Sequence, residues 1–565
     1  VWWYPELQPG GIPNDDLEMQ LIWLKALEEV GPRLDAQDLA PYWLDHIGYN
    51  WDEYGLSKTN LRLGLLPPVS GAYNNWFRDC MGCPIRSEIW ACVAPGAPRV
   101  AVQYAYQDAI CDHAGGESVY GELFNTAVEA AAFVVSDREQ LIDIGLSYVP
   151  PQSKTAIAIR AALDAHADGL DWKAARRRVL EATPHHVAQY SPINLAFQVV
   201  GWLYGDDFGD ALCKAVNCGY DTDCTGATLG SYLGIIATRH GLPERWTAPL
   251  GETIATNESW GGIRNASNGT NPVPTTLDEL TERVCRAAER VLTEHGLLQG
   301  SVVEVEPADL YADDSVRALW AAEPMRLDRT LDAVEVSVDY GDSPVLVAGT
   351  QRTLPIRLTN RHPVELELRA GISGPDGWTL DVSPRELTLA PHGEAALECS
   401  VLAATPALLE NRNVLQLLLE AAGRPAEPGL PIALVGARRL RYAGPFTAMG
   451  ASEAELFATA FEPEGNSSGA ERPGSWSEGY TIDNALPVGA LLPEGALYIQ
   501  TYLHSPQAIS AWIGVSASCP AKLWVNGALT VEDFAHRPIR PSYNGNTESY
   551  ATVRLAAGWN ELSCC

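Results

Sequence analysis

Residues 13–27 read Pro13-Asn14-Asp15-Asp16-Leu17-Glu18-Met19-Gln20-Leu21-Ile22-Trp23-Leu24-Lys25-Ala26-Leu27. Leu17, Leu21, Leu24 and Leu27 recur at helical spacing, which predicts an amphipathic helix with an acidic start. Leu123, Ala127, Ala130 and Ala131 repeat the pattern, and the chain reads as helical from residue 1 to about residue 300. Long Gly/Pro/Asn-rich loops separate the helices, notably Gly64 to Gly96, and loops of that length in a compact domain are usually functional. After a linker at 301–333 the period changes. Alternating runs such as Glu365-Leu-Glu-Leu-Arg369 and Leu380-Asp-Val382, broken by turn clusters at Gly374–Gly377 and Pro391–Gly393, predict a β-sandwich over 334–440. Ala403–Leu419 reads either as a helix or as a strand after a proline-bounded loop. A second β unit follows over 441–565, where Trp524-Val-Asn-Gly527 sets an Asn-Gly turn between apolar runs. The expected class is thus multidomain: an all-α domain (1–300) followed by two all-β sandwiches, the first immunoglobulin-like and the second jelly-roll-like.

At 565 residues the chain exceeds what one core can organise. Its 39 Lys+Arg against 71 Asp+Glu give a net charge of −32. A surface that acidic repels a phosphate backbone, which argues against a nucleic-acid partner. Twelve cysteines are too few for a disulfide scaffold, and the Cys80/Cys83 pair lacks the second pair that a zinc finger needs. Free thiols in a reducing, cytoplasmic setting are the expectation. No run approaches the ~18 apolar residues of a membrane span, so no membrane partner is expected either. The first residue is Val1, without a charged leader, and the last residues, Glu561–Cys565, lie in a strand-like run. Both ends read as cut, and a leader upstream would overturn the cytoplasmic assignment.

Two acidic segments carry the chemistry. Asn14-Asp15-Asp16 precedes the first helix, and Gly219-Tyr220-Asp221-Thr222-Asp223-Cys224-Thr225 precedes a small-residue helix from Gly226. Each has an ordinary use: Asn14 or Asp15 as one helix cap, Asp223 or Thr225 as the other, with the helix dipole favouring the acids. Together they offer four hard carboxylates of the kind that bind Mg²⁺, Ca²⁺ or Mn²⁺. Asp15 and Asp16 diverge on a first helical turn, whereas Asp221 and Asp223 share a side and converge. Four carboxylates packed without a cation would raise one another's pKa values and cost stability.

At these residues the chain resembles the ADP-ribosylglycohydrolase family (dinitrogenase reductase-activating glycohydrolase-like). That family pairs an early Thr/Ser-Asp-Asp with a late Gly-Gly-Asp-x-Asp-Thr around a pair of Mg²⁺ or Mn²⁺ ions in an all-helical fold. Met81-Gly-Cys-Pro-Ile-Arg86 resembles its Gly-x-x-x-Arg loop ahead of Ala94-Pro95-Gly96. Asp112-His113, leading to Tyr120-Gly121, resembles its His-containing turn. The resemblance spans roughly residues 10–295. It departs at Asn14, in place of Thr/Ser, and at Cys224, in place of Thr, which leaves the count at one ion or two. The family's first helix, with a downstream acidic residue, would precede Val1.

The resemblance implies hydrolysis of a glycosidic bond to ADP-ribose or a related ribosyl group, on a small-molecule or ADP-ribosylated substrate. It assigns Asn14, Asp15, Asp16, Asp221, Asp223 and Cys224 to one or two Mg²⁺ or Mn²⁺ ions. Asp16, Asp223 and Asp79 are the catalytic candidates, and His113, Arg86, Gly82 and Tyr120 the substrate contacts. Arg86 has two competing uses, a bidentate phosphate contact or a structural anchor for its loop. A glycosidase acting on another furanoside or nucleoside is the second reading, and a non-catalytic ligand-binding protein that keeps the fold is the third.

Overall fold

The computed structural model describes residues 13–300, 302–425, 428–447, 450–464, 476–486, 488, 495–539 and 549–565. Chain contacts divide into a helical unit, Val1–Leu327, and a β unit, Asp328–Cys565.

The periodic leucines fold as read: Asp15–Val30 is a helix that buries Leu21, Leu24 and Leu27, while Leu17 sits at its exposed rim. The centre of the helical unit is Glu117–Ala132, where Leu123, Phe124, Ala127, Val128, Ala130 and Ala131 are all solvent-free. A helix buried on every side must be built from small residues where neighbours approach closely. Gly145 of the neighbouring helix Arg138–Ser147 shows why, since a Cβ there would lie 2.7 Å from the Phe124 ring.

Two expectations change. The Gly64–Gly96 stretch is only partly loop: Ser87–Val93 is a helix that buries Ile89, Trp90, Ala91 and Val93. Its apolar positions are too few to show a period beside so many glycines and prolines. The stretch expected as a linker, 301–333, is largely part of the helical unit. Leu310, Ala312 and Val316 join its core, and Arg99 ties the stretch down through Asp309 and the carbonyls of Ala308 and Tyr311. Trp320 adds a 3.1 Å hydrogen bond to the Tyr148 carbonyl.

In the β unit, one five-stranded sheet orders as Arg326–Thr330, Val334–Asp339, Arg352–Asn360, Glu394–Leu402 and Thr379–Ser383. The other orders as Val345–Leu346, Leu430–Gly436, Arg412–Ala421, Leu366–Ser373 and Glu386–Leu389. Alternate residues are buried, such as Leu354, Ile356 and Leu358 in one sheet and Leu415, Leu417 and Leu419 in the other. The ambiguous Ala403–Leu419 resolves to a short 3₁₀ turn, Pro406–Leu408, and the strand Arg412–Ala421. A six-stranded sheet and a two-stranded sheet follow. The expected boundary at 440 falls inside a strand, Arg438–Phe446, that belongs to the six-stranded sheet. Asn526 and Gly527, at φ 51° and 79°, form the two-residue hairpin turn in which Val525 pairs with Ala528. Among the described residues no helix is long and apolar enough to cross a membrane, and all twelve cysteines are free thiols.

Candidate metal and active site

The two acidic segments, more than 200 positions apart, meet. Ligating atoms of Asp16, Asp223 and Cys224 all lie within 4.8 Å of one another. Asp15 and Asp221 face the same charges: Asp223 acts electrostatically on Asp15, Asp16 and Asp221 alike.

Helix capping does not use up these side chains. Asn14 and Asp221 occupy the N-cap positions of Asp15–Val30 and Thr222–Gly241, yet neither makes a side-chain cap bond. Asn14 instead donates from Nδ2 to Asp16 Oδ2 at 2.9 Å, while Asp16 Oδ1 is buried without a hydrogen-bond partner. Such an orphaned acceptor is costly unless something positive sits against it.

Electrostatics agree with that reading. Burial pushes Asp15 up to about 6, helped by repulsion from Glu53 and Asp223. Asp16 is driven well above the usual carboxylate range by burial and by Asp15, Asp223 and Glu88. Asp221 rises to about 7, again mainly by burial. Carboxylates arranged to repel at a partly buried site, with Asp223 open to solvent, fit a divalent cation, which favours their ionised forms. Oxygen-rich donors suit Mg²⁺ or Mn²⁺, and the Cys224 thiol is the one soft group among them.

The entry to the first helix is braced from behind. The buried Glu18 carboxylate accepts hydrogen bonds from the Tyr49 hydroxyl and the Asn257 amide N–H, and Asn257 Nδ2 donates to the Pro13 carbonyl at 3.0 Å. On the other segment, Asn194 Oδ1 accepts from the Asp221 N–H at 3.0 Å and fixes that turn.

The sequence profile of the ADP-ribosylglycohydrolase family matches residues 2–292. The chain belongs to this family. An uncharacterized protein of Archaeoglobus fulgidus is 26% identical over 251 residues, covering 44% of this chain and 78% of that protein. A solved structure described as an ADP-ribosylglycohydrolase-related protein complex is 22% identical, covers 50% of this chain and 83% of its own, and has a TM-score of 0.30. The FixG-related protein of Vibrio parahaemolyticus is 13% identical over 19% of this chain and 98% of its own, with a TM-score of 0.16. Family membership makes the helical unit a glycohydrolase domain of the ADP-ribose type. The family's Gly-Gly ahead of its second acidic motif also finds its reason here. Gly219 and Tyr220 both take left-handed backbone, at φ 80° and 68°, so Tyr220 holds a strained conformation that glycine would adopt freely.

The remaining candidates pack within the helical unit. Arg86 is solvent-free. It pairs with Asp108 at 2.9 Å and Asp112 at 2.8 Å, with its guanidinium over the Trp43 ring, an arrangement that anchors its loop. Asp79 Oδ1 accepts from the Glu117 N–H at 2.7 Å and caps a helix whose own N-cap, Gly116, has no side chain. Gly82 leaves no room for a side chain: a Cβ on it would meet Glu53, Tyr54 and His113 at 2.4, 2.7 and 2.9 Å. His113 is solvent-free and held as an ion pair, Nδ1 2.9 Å from Asp112 and Nε2 3.7 Å from Glu53, neither aligned as a full hydrogen bond. Burial opposes its charge, but Asp112 and Glu53 outweigh burial and raise it to about 9. Tyr120 is half-buried, packed on the helical core beside Glu117.

Glu53 and Glu88 escaped the sequence reading. Glu88 accepts from Gln20 at 2.9 Å and Ser231 at 3.1 Å, and burial raises it to about 7. Neither stands in an acidic run, and the only signal for Glu53 is its place in Trp51-Asp52-Glu53-Tyr54 at a helix start.

Proposed function

We propose that the helical unit is a divalent-metal-dependent hydrolase of a glycosidic bond to ADP-ribose or a related ribosyl group. One observation carries this reading: Asp16, Asp223 and Cys224 converge within 4.8 Å from segments remote in sequence. Asp15, Asp16, Asp221 and Asp223, with Cys224 beside them, would hold Mg²⁺ or Mn²⁺. When bound, the cation supplies Lewis-acid polarisation and a fixed anchor for ribose hydroxyls.

The chain's own residues do the rest. Asn14 holds one Asp16 oxygen and leaves the other directed to the cluster. Asn194 and the Glu18–Tyr49–Asn257 brace keep the two acidic segments in place, so little reorganisation accompanies substrate binding. The surplus negative charge stabilises the positive charge that develops on the sugar as its anomeric bond breaks.

A second reading, a glycosidase for a furanoside or nucleoside without a diphosphate, gains from one observation. Arg86, the guanidinium assigned to phosphate, is fully engaged by Asp108 and Asp112. The test is a turnover screen with ADP-ribosylated peptides, ADP-ribose derivatives and 4-nitrophenyl furanosides, run with Mn²⁺ and with EDTA. Cation-dependent turnover that Asp16→Asn and Asp223→Asn abolish supports the proposal. Turnover indifferent to EDTA overturns it, and cleavage of the plain furanosides alone selects the second reading.

A further inference from the structure

The acidic cluster is committed to a cation in the reading above, which leaves open what group moves the proton when water attacks. Most other carboxylates near the cluster are spent. Asp79 caps a helix, Asp108 and Asp112 neutralise Arg86, and Glu88 accepts from Gln20 and Ser231. Glu53 differs. It stands on the first turn of the helix Asp52–Arg62, is only 7% exposed, and lies where its charge bears on both Asp15 and Asp221. A carboxylate buried close to Asp15 and Asp221 is expensive, and it needs a counter-charge.

That counter-charge is built in. His113 Nε2 is 3.7 Å from Glu53 Oε1, His113 Nδ1 is 2.9 Å from Asp112 Oδ1, and Asp112 pairs with the buried Arg86. A chain of alternating charge therefore runs from the solvent-free Arg86 to Glu53 at the cluster. The packing makes room for it at one position: a Cβ on Gly82 would come within 2.4 Å of Glu53 Oε1. Tyr54, next in sequence, donates to Asp15 at 3.3 Å and to the Gly82 carbonyl at 3.1 Å, which fixes the helix start against the acidic segment.

From this juxtaposition we propose that Glu53 is a catalytic residue of the hydrolysis, the carboxylate that takes the proton from the attacking water, and that His113 is its positioning residue. This rests on the hydrolase reading. As the water oxygen bonds to the anomeric carbon, one water proton passes to Glu53. The bond from that carbon to the leaving group breaks, the electron pair departs with the leaving group, and the leaving group takes up a proton returned by Glu53 or supplied by solvent. Atoms and charge balance with water as the sole co-reactant.

The experiment compares wild type, Glu53→Gln, Glu53→Asp and Glu53→Ala in the full-length chain, with an ADP-ribosylated peptide and 4-nitrophenyl ribofuranoside as substrates. Mn²⁺ binding is followed by calorimetry. The expected result for Glu53→Gln is a loss of about 10²–10³-fold in kcat, typical of a removed acid–base group, with KM and Mn²⁺ affinity held. Azide or formate restores turnover to Glu53→Ala, which a purely structural glutamate would not allow. Glu53→Asp keeps a carboxylate opposite His113 and gives an intermediate rate even if the other variants fold poorly. A Glu53→Gln enzyme with kcat near wild type overturns the inference and leaves the hydrolase reading intact, and so does Mn²⁺ binding lost along with activity. A wild-type enzyme that binds Mn²⁺ but cleaves neither substrate removes both.

Discussion

Without a divalent cation at this site the helical unit should lose stability as pH rises, and added Mn²⁺ should offset the loss. Asp15 and Asp221 sit at about 6 and about 7 in the folded chain, above the ordinary 3.8. Both are carboxyls with raised folded-state values. Their contribution is therefore fully present below pH 3.8 and is lost as pH climbs through 6 to 7. At 1.36 kcal/mol per unit, Asp15 accounts for about 3 kcal/mol and Asp221 for about 4. Both repel the same Asp223, and Asp221 keeps some solvent, so the shares overlap and about 3–4 kcal/mol together is the working figure. With unfolding entropy of ~2.1 cal/mol/K per residue over a unit this long, that is about 5 °C in Tm between about pH 3.5 and pH 7.5. Mn²⁺ at a hundred times its Kd adds about 2.7 kcal/mol, or about 4 °C, at pH 7.5 and little at pH 4.5, where protons compete. Differential scanning calorimetry with EDTA and with Mn²⁺, on wild type and Asp15→Asn/Asp221→Asn, isolates the effect. An Mn²⁺ shift of equal size at both pH values, or one that persists in the double variant, would refute the reasoning.

Two other perturbations separate structural from chemical roles. Arg86→Met strands Asp108 and Asp112 in the core and should cost about 3–5 kcal/mol in denaturant unfolding, because each lost partner leaves a buried charge unpaired; unchanged stability with a raised KM would instead put the guanidinium on substrate. Cys224→Thr restores a hard oxygen beside Asp16 and Asp223 and should tighten Mg²⁺ about tenfold, or 1.4 kcal/mol, in calorimetric titration; unchanged affinity would show that the thiol faces away from the ion.

What could be read from sequence follows from locality. The first helix was visible because Leu21, Leu24 and Leu27 carry its period within a few turns. The Asn526-Gly527 hairpin was visible because two adjacent residues encode its backbone. The acidic runs around Asp15 and Asp221 were visible as runs, and family resemblance joined them. Arg86 was ambiguous because its partners, Asp108 and Asp112, lie on another helix, and only packing decides between phosphate and carboxylate as its mate. The capping bond of Asp79 is hidden for the same reason, since the N–H it caps belongs to Glu117. Glu53 left little trace beyond its place at a helix start, because its meaning depends on His113 and on the space at Gly82, neither of which is near it in the chain. The stretch 301–333 reads as a linker because Leu310, Ala312 and Val316 are too sparse to form a pattern, although each fills the core.

The most direct test is the stoichiometry of Mn²⁺ binding to the metal-stripped chain, by calorimetry with a parallel spin-resonance titration. Wild type should take up one or two ions per chain, and Asp16→Asn and Asp223→Asn should each lose high-affinity uptake, though the two substitutions lie more than 200 positions apart in sequence. Stoichiometric uptake that survives either substitution, or none in the wild type at millimolar Mn²⁺, would contradict the account.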